Sequence, residues 1–191
     1  DYPTWLLEAF PALACAAILA CTYRSFPLTP LVYACLLVHC AILFVGSHYT
    51  YAEVPALDWL RDRLGQSRNN YDKLGHVAQG FVPALVAREI LIRKRVIAGR
   101  GWLAFLVVCF VLAISASYEL IEWGAAVVMG SGADAFLGTQ GYVWDTQSDM
   151  GCALLGAVGS LLILGRLHDR QLAQFTGTAV AAIDHPTPRT T

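Results

Sequence analysis

The sequence predicts an all-α, polytopic transmembrane helix bundle with about five spans visible. Three observations predict it. The chain of 191 residues is 57% hydrophobic and only 14% charged, against about 25% charged in ordinary soluble domains, and its mean hydropathy is +0.53. Five stretches are long and apolar enough to approach the roughly 20 residues that a membrane helix needs. The basic residues collect in alternate connections, as they do in multi-pass proteins. The six cysteines lie in or beside apolar runs without a CxxC pair, so they read as small packing residues. A net charge of -1 and the lack of a basic stripe exclude a nucleic-acid partner. There is no HExxH, P-loop or dinucleotide fingerprint, and no internal repeat.

The first span is expected over Leu6 to Tyr23, with Pro11 about one turn in, and the second over Leu31 to Gly46. The third, Tyr71 to Ile92, opens with YDKLGHVAQG. The fourth, Trp102 to Met129, contains WLAFLVVCFVLAISASY, and the fifth runs from Asp145 to Leu164. Residues 1–170 form one membrane domain, and residues 171–191 are a polar, flexible tail. Orientation follows from the connection RKRVIAGR, whose Arg93, Lys94, Arg95 and Arg100 mark the cytoplasmic side together with Arg24, Arg166 and Arg170. The loop MGSGADAFLGTQGYVW has neither Lys nor Arg and lies on the other side. The segment from Ser47 to Asn70 conflicts with this, since it carries Arg61, Arg63 and Arg68, but it also carries Glu53, Asp58 and Asp62. The C-terminus is therefore expected in the cytoplasm, and the odd span count suggests a first helix preceding Asp1.

That topology brings polar residues from all five spans to the outer half of the bundle. Asp72 and His76 stand at i, i+4 on one helix face, and so do Asp145 and Asp149. Glu119 and Glu122 lie in the outer half of the fourth span, Glu8 in the first turn of the first span, and His48 at the outer end of the second. A carboxylate in the membrane costs a few kcal/mol or more, so each must face the interior and find a proton, a basic partner or a metal. The nearby bases, Lys73, His76 and His48, are outnumbered by the acids. Helix bundles build metal sites from inward-facing carboxylates and histidines. The expected metal ligands are Asp72, His76, Glu122, Asp145 and Asp149, with Glu119 or Glu122 as the catalytic base. Glu8, His48, Gln79 and Gln147 complete the polar site. The cofactor is a divalent cation, with Zn, Mn, Mg and Fe not distinguished. The competing reading of Asp72 and Asp145 is helix capping at an N-terminus. It does not extend to Glu119 and Glu122, which sit in the C-terminal half of their helix.

Other polar residues are read as structural. Glu89 pairs with Arg93 at i, i+4, and His39 is a satisfied core histidine. Trp5, Tyr49, Tyr51, Trp59, Trp123, Tyr142 and Trp144 make an outer aromatic belt. The loop from Gly130 to Gly141, rich in glycine with Phe136, Leu137 and Tyr142, reads either as a lid or as a plain connector.

In YDKLGHVAQGFVPALVAREIL, SASYELIEWGAA and GADAFLGTQGYVWDTQSDM the sequence resembles the YjdF-like bacterial inner-membrane family, whose function is unknown. WLLEAFP, FPLTPLVY and GSHYTYAEVP extend the resemblance over about Trp5 to Leu164. It implies a multi-pass protein of the bacterial inner membrane with an initial helix absent here. A more distant pattern, DKLGH followed by a glutamate-bearing helix and D-x-x-x-D, resembles VanZ-type membrane proteins, a group associated with glycopeptide-antibiotic tolerance.

From the residues themselves, the expected function is a metal-dependent hydrolase acting on a lipid or lipid-linked substrate, with membrane lipids as its surroundings. The alternatives are a proton- or cation-coupled transporter, and a non-catalytic oligomeric or complex-forming subunit that would use Gly151, Gly156 and Gly159 for close helix packing.

Overall fold

The structure is a computed structural model that describes residues 2–130 and 137–176. It is an all-α membrane bundle. The described residues form α1 (Tyr2–Thr22), α2 (Pro30–Tyr49), α3 (Pro55–Leu64), α4 (Tyr71–Arg93), α5 (Arg100–Met129) and α6 (Asp145–Thr176), with a 3-10 turn at Tyr51–Glu53. Proline at the first position starts α2 and α3, where its missing N–H costs nothing. Gly65, at φ +62°, ends α3 in the left-handed conformation that glycine adopts freely.

Helices α1, α2, α5 and α6 are long and apolar enough to cross a membrane. The third expected span, α4, falls short in apolarity, although its 23 residues are long enough. Its position explains this. α4 packs against α2, α5 and α6, so its neighbours shield it from lipid. A helix enclosed by protein can carry polar groups that a lipid-facing helix cannot. The lipid-facing surfaces belong instead to residues such as Leu37, Leu120 and Leu162, all largely exposed.

Two apolar clusters hold the inner half together. One joins Ala84 and Ala87 of α4 to Leu103, Val107 and Val111 of α5 and to Ala153 and Ala157 of α6. The other joins Leu28, Val32 and Leu36 to Val82 and Leu85. α4 and α6 approach very closely. A Cβ added at Gly80 would lie 1.9 Å from the Ala153 carbonyl oxygen, and one at Gly156 would lie 2.1 Å from that of Val77. Gly156 thus serves packing within the chain, whereas Gly151 has open space around it.

α6 overruns its expected end at Leu164. His168 and Leu172 are fully buried, and Gln171 Oε1 accepts a hydrogen bond of 2.9 Å from the Leu31 backbone N–H. Residues 171–176 therefore continue the helix, and the rest of the expected tail lies outside the described residues. The polar look of this segment reflects a buried network. Glu89, fully buried, accepts from Thr29 Oγ1 (2.8 Å) and Arg93 Nη1 (2.8 Å) and faces His168 Nε2 at 3.1 Å. Arg88 adds an ion pair to Asp169. The expected Glu89–Arg93 pair is present as one part of this larger lock.

Candidate functional site

The opposite end of the bundle carries the acids. α3 and the adjoining segments close over it through one side chain, Asn69, which is fully buried. Asn69 Nδ2 donates to Val54 O and Asp58 Oδ1, each at 2.9 Å, and its Oδ1 accepts from the Tyr71 N–H at 3.0 Å. Gln140 grips the Asn69 backbone at both N–H and C=O, each at 2.9 Å. Tyr51 is wedged below. Its ring packs so tightly on α2 that a Cβ at Gly46 would meet it at 2.5 Å, with Gly75 of α4 next nearest at 3.2 Å. Tyr51 is therefore a buried roof residue, not part of the aromatic belt. Burial holds its phenol well above the usual value, so it stays neutral. Trp5, Tyr49, Trp59, Trp123, Tyr142 and Trp144 are exposed, as a belt requires.

Under this roof α4 and α6 present their i, i+4 pairs to each other. Asp72, His76 and Asp149 are all buried, and each offers a ligand atom within 4.8 Å of the other two. His76 Nε2 lies 3.4 Å from Asp72 Oδ1 and 3.8 Å from Asp149 Oδ1. The other ring nitrogen, Nδ1, is 2.9 Å from Gln79 Oε1. With Nδ1–H donating to that amide oxygen, Nε2 faces the two aspartates, where it serves either as a lone pair for a shared cation or, protonated, as their partner. The ring edge also meets Tyr118, at a centroid distance of 6.2 Å.

Asp145 does not join this group. Arg68 Nη1 and Lys73 Nζ both hold its Oδ1 at 2.7 Å. Lys73 Nζ also donates to Asp149 Oδ1 at 2.6 Å. The Tyr142 ring caps both cations, 5.4 Å from Arg68 and 5.7 Å from Lys73. On sequence grounds Arg68 reads only as a loop charge in conflict with the orientation rule. Its spacing of four residues from Asp72 is the signal that it belongs to the site. Through Tyr142 the connection between α5 and α6 touches Arg68 and Lys73, which fits a lid and a plain connector alike, and its residues 131–136, including Gly132 and Phe136, lie outside the described residues.

A cavity of about 710 Å³ opens on the other side of α4, between α1, α2 and α5. Asp72, His76, Gln79, Glu8 and Glu122 stand in its wall. Glu119, one turn from Glu122, is buried but turned away from the cavity, and its Oε1 has no hydrogen-bond partner. Both glutamates lie within Coulombic reach of His76. Glu122 is not within the group of three ligand atoms, so that part of the expected ligand set does not assemble. Nor do two of the additional polar residues. His48 is exposed and stacks edge-on against Tyr49 at 4.6 Å, and Gln147 is exposed. Each is separated from the site by helix rotation, which a depth argument cannot resolve. His39 also differs from its expected role. Its Nε2 is buried without a partner, in the cavity wall.

Residues 1–170 match the family described as Predicted membrane protein (DUF2238). The chain belongs to this family. It is also 58% identical over 175 residues to the inner membrane protein YjdF of Escherichia coli (strain K12), covering 92% of this chain and 84% of that protein. No solved structure matches. Membership makes the chain an integral inner-membrane protein, which agrees with its apolar, lipid-facing helices.

The hydrogen bond from His76 to Gln79 provides a first test of the site. Gln79→Leu keeps the volume but frees the ring. Loss of such an outer partner commonly lowers metal affinity about 10–100-fold; if Asp72, His76 and Asp149 hold a metal, that fall is the expected result in a competition titration with a chelating dye. Unchanged affinity would mean that Gln79 does not set the ring.

Proposed function

We propose that the protein is a divalent-metal-dependent hydrolase of a lipid or lipid-linked substrate, working on the outer side of the inner membrane, with its C-terminus in the cytoplasm. The observation that supports this most is the meeting of Asp72, His76 and Asp149 beside the cavity. Two carboxylates and an imidazole are a donor set that Zn, Mn, Fe or Mg accepts. Three protein ligands leave a position free, which is the pattern of catalytic rather than structural sites. A cation held there supplies Lewis acidity and an acidified water.

The chain's own residues account for the other steps. Glu122, in the cavity wall, takes the proton as general base. Glu119, one turn along α5 and turned from the cavity, is buried and lies within Coulombic reach of His76. Lys73 fixes the orientation of Asp149, and the apolar cavity walls seat the substrate and exclude water.

A second reading, proton or cation transport, draws on one observation: Arg68 and Lys73 already balance Asp145 and Asp149 without a metal. The opposite end of the bundle weighs against it. The cavity wall reaches no farther along α4 than Pro83, and beyond it Glu89, Thr29 and His168 are fully buried and bonded to one another. Of the three glycines that a complex-forming subunit would use, Gly156 is already taken up by α4, while Gly151 stays open.

The deciding experiment incubates purified protein with total membrane lipid and follows products by mass spectrometry. The double variant Glu119→Gln, Glu122→Gln is expected to retain its metal and lose about 10²–10⁴-fold in turnover. Full turnover in that variant would remove the catalytic assignment. Ion flux in proteoliposomes, with no lipid product, would support transport instead.

A further inference from the structure

The cavity has two chemically distinct ends and an open side. α1 packs on α2, and α5 packs on α4 and α6, but α1 and α5 do not form a packed pair. The gap between them is rimmed by Phe10, Phe110 and Ile121, which line the cavity and are also exposed on the lipid-facing surface. Entry is therefore sideways, from the acyl-chain region. The deeper wall is largely apolar, with Cys15, Leu36 and Pro83, and His39 stands among them. The end under Tyr51 holds three carboxyls, Glu8, Asp72 and Glu122, with His76. Arg68 and Lys73 do not line this wall: each holds Asp145 at 2.7 Å, and they lie farther from the wall carboxylate Asp72, at 3.7 and 3.8 Å.

Glu8 is the unexplained member. It is 1% exposed, and neither oxygen has a hydrogen bond of normal geometry, although the Tyr51 backbone N–H approaches. It lies on α1 and is not one of the three grouped ligand residues, and the proposed hydrolysis does not use it. A buried carboxyl without a partner is costly. A ligand that supplies a charge-assisted donor would relieve that cost.

We infer that the cavity binds a single-chain amphiphile with a primary ammonium head, the chain entering between α1 and α5 and the ammonium lying against Glu8. Charge complementarity selects this ligand. A carboxylate or phosphate head would face Glu8 and Glu122 with no Lys or Arg in the wall. Even with a cation held by Asp72, His76 and Asp149, Glu8 and Glu122 still offer carboxyl oxygens to a bound head, and no Lys or Arg lines the wall. The inference names a headgroup for the substrate or product of the proposed hydrolase. It rests on that reading only for the chemistry after binding.

The test uses the full chain in detergent with three probes of equal chain length: n-dodecylamine, n-dodecanol and dodecanoic acid. Native mass spectrometry reads the bound fraction, and elemental analysis of the same samples reads metal. Dodecylamine is expected to be retained roughly tenfold more than dodecanoate, as a charge-assisted bond implies. Glu8→Gln is expected to cut amine retention roughly tenfold, with dodecanol and metal content unchanged. Equal retention of amine and carboxylate by the wild type, or undiminished amine retention by a folded Glu8→Gln, would overturn the inference. The wild-type comparison decides if that variant does not fold. Amine retention without any metal would sink the hydrolase reading and leave this one standing. Bound metal without amine preference would do the reverse.

Discussion

The proposed divalent cation is expected to be lost in His76→Ala and kept in Asp145→Asn. Both residues lie one helical turn from a partner aspartate, and on sequence grounds both read as ligands. Their surroundings differ. His76 Nε2 faces two carboxylates at 3.4 and 3.8 Å with its other nitrogen committed to Gln79. Asp145 is occupied by Arg68 and Lys73. Removing one of three ligands leaves two aspartates to hold the ion, and affinity is expected to fall more than about 100-fold, the upper figure for losing only an outer partner. Removing Asp145 instead frees two cations beside Asp149, so its effect should appear as lower stability. Elemental analysis of detergent-purified protein, with helicity and elution profile as folding controls, separates the cases. Metal lost in Asp145→Asn but kept in His76→Ala would reverse the assignment. No metal in any sample, including after re-addition, would leave the aspartates as partners of Arg68 and Lys73 alone.

The helical architecture was legible because it follows from solvent: long apolar runs and basic connections are the direct imprint of a bilayer. The convergence of Asp72, His76 and Asp149 was legible for a similar reason. Alternating topology fixes depth, and i, i+4 spacing fixes a shared face on α4 and on α6. Depth and spacing do not fix how a helix is rotated about its own axis. That is why His48 and Gln147, at the right level, point outward, and why Glu119 and Glu122 divide between two sides of α5. Arg68 illustrates a second limit. A charge in a connecting segment counts toward orientation in the sequence, whereas folding places it against Asp145, which is 77 residues away along the chain. Asn69 was silent for the same reason, since its bonds to Val54, Asp58 and Gln140 join segments that only the fold brings together. The buried lock around Glu89 was half visible, because Arg93 is local while Thr29 and His168 are not.

Gly80→Ala is expected to destabilise the protein and to loosen the metal group at the same time. On helix propensity alone the change should stabilise α4 by about 1 kcal/mol. The close approach to α6 reverses that sign. The new methyl would stand 1.9 Å from the Ala153 carbonyl oxygen and 2.6 Å from its carbon, both backbone atoms that no rotamer change can move. The two helices must separate by about 1 Å, and overpacking of this kind costs about 1–3 kcal/mol or more. The contact lies one turn below the site, since Gly80 is four residues after His76 and Ala153 is four after Asp149. Spreading the helices there carries Asp149 away from His76, so the variant should bind the proposed cation more weakly as well as melt earlier. Gly151→Ala is the control. Nothing lies within 4 Å of the added methyl, and the propensity gain should appear undiminished. Melting curves in detergent, with and without added metal, test the coupling. A Gly80→Ala protein as stable as the wild type would mean that α4 and α6 are not in close contact, and the distances that define the metal group would fall with that contact.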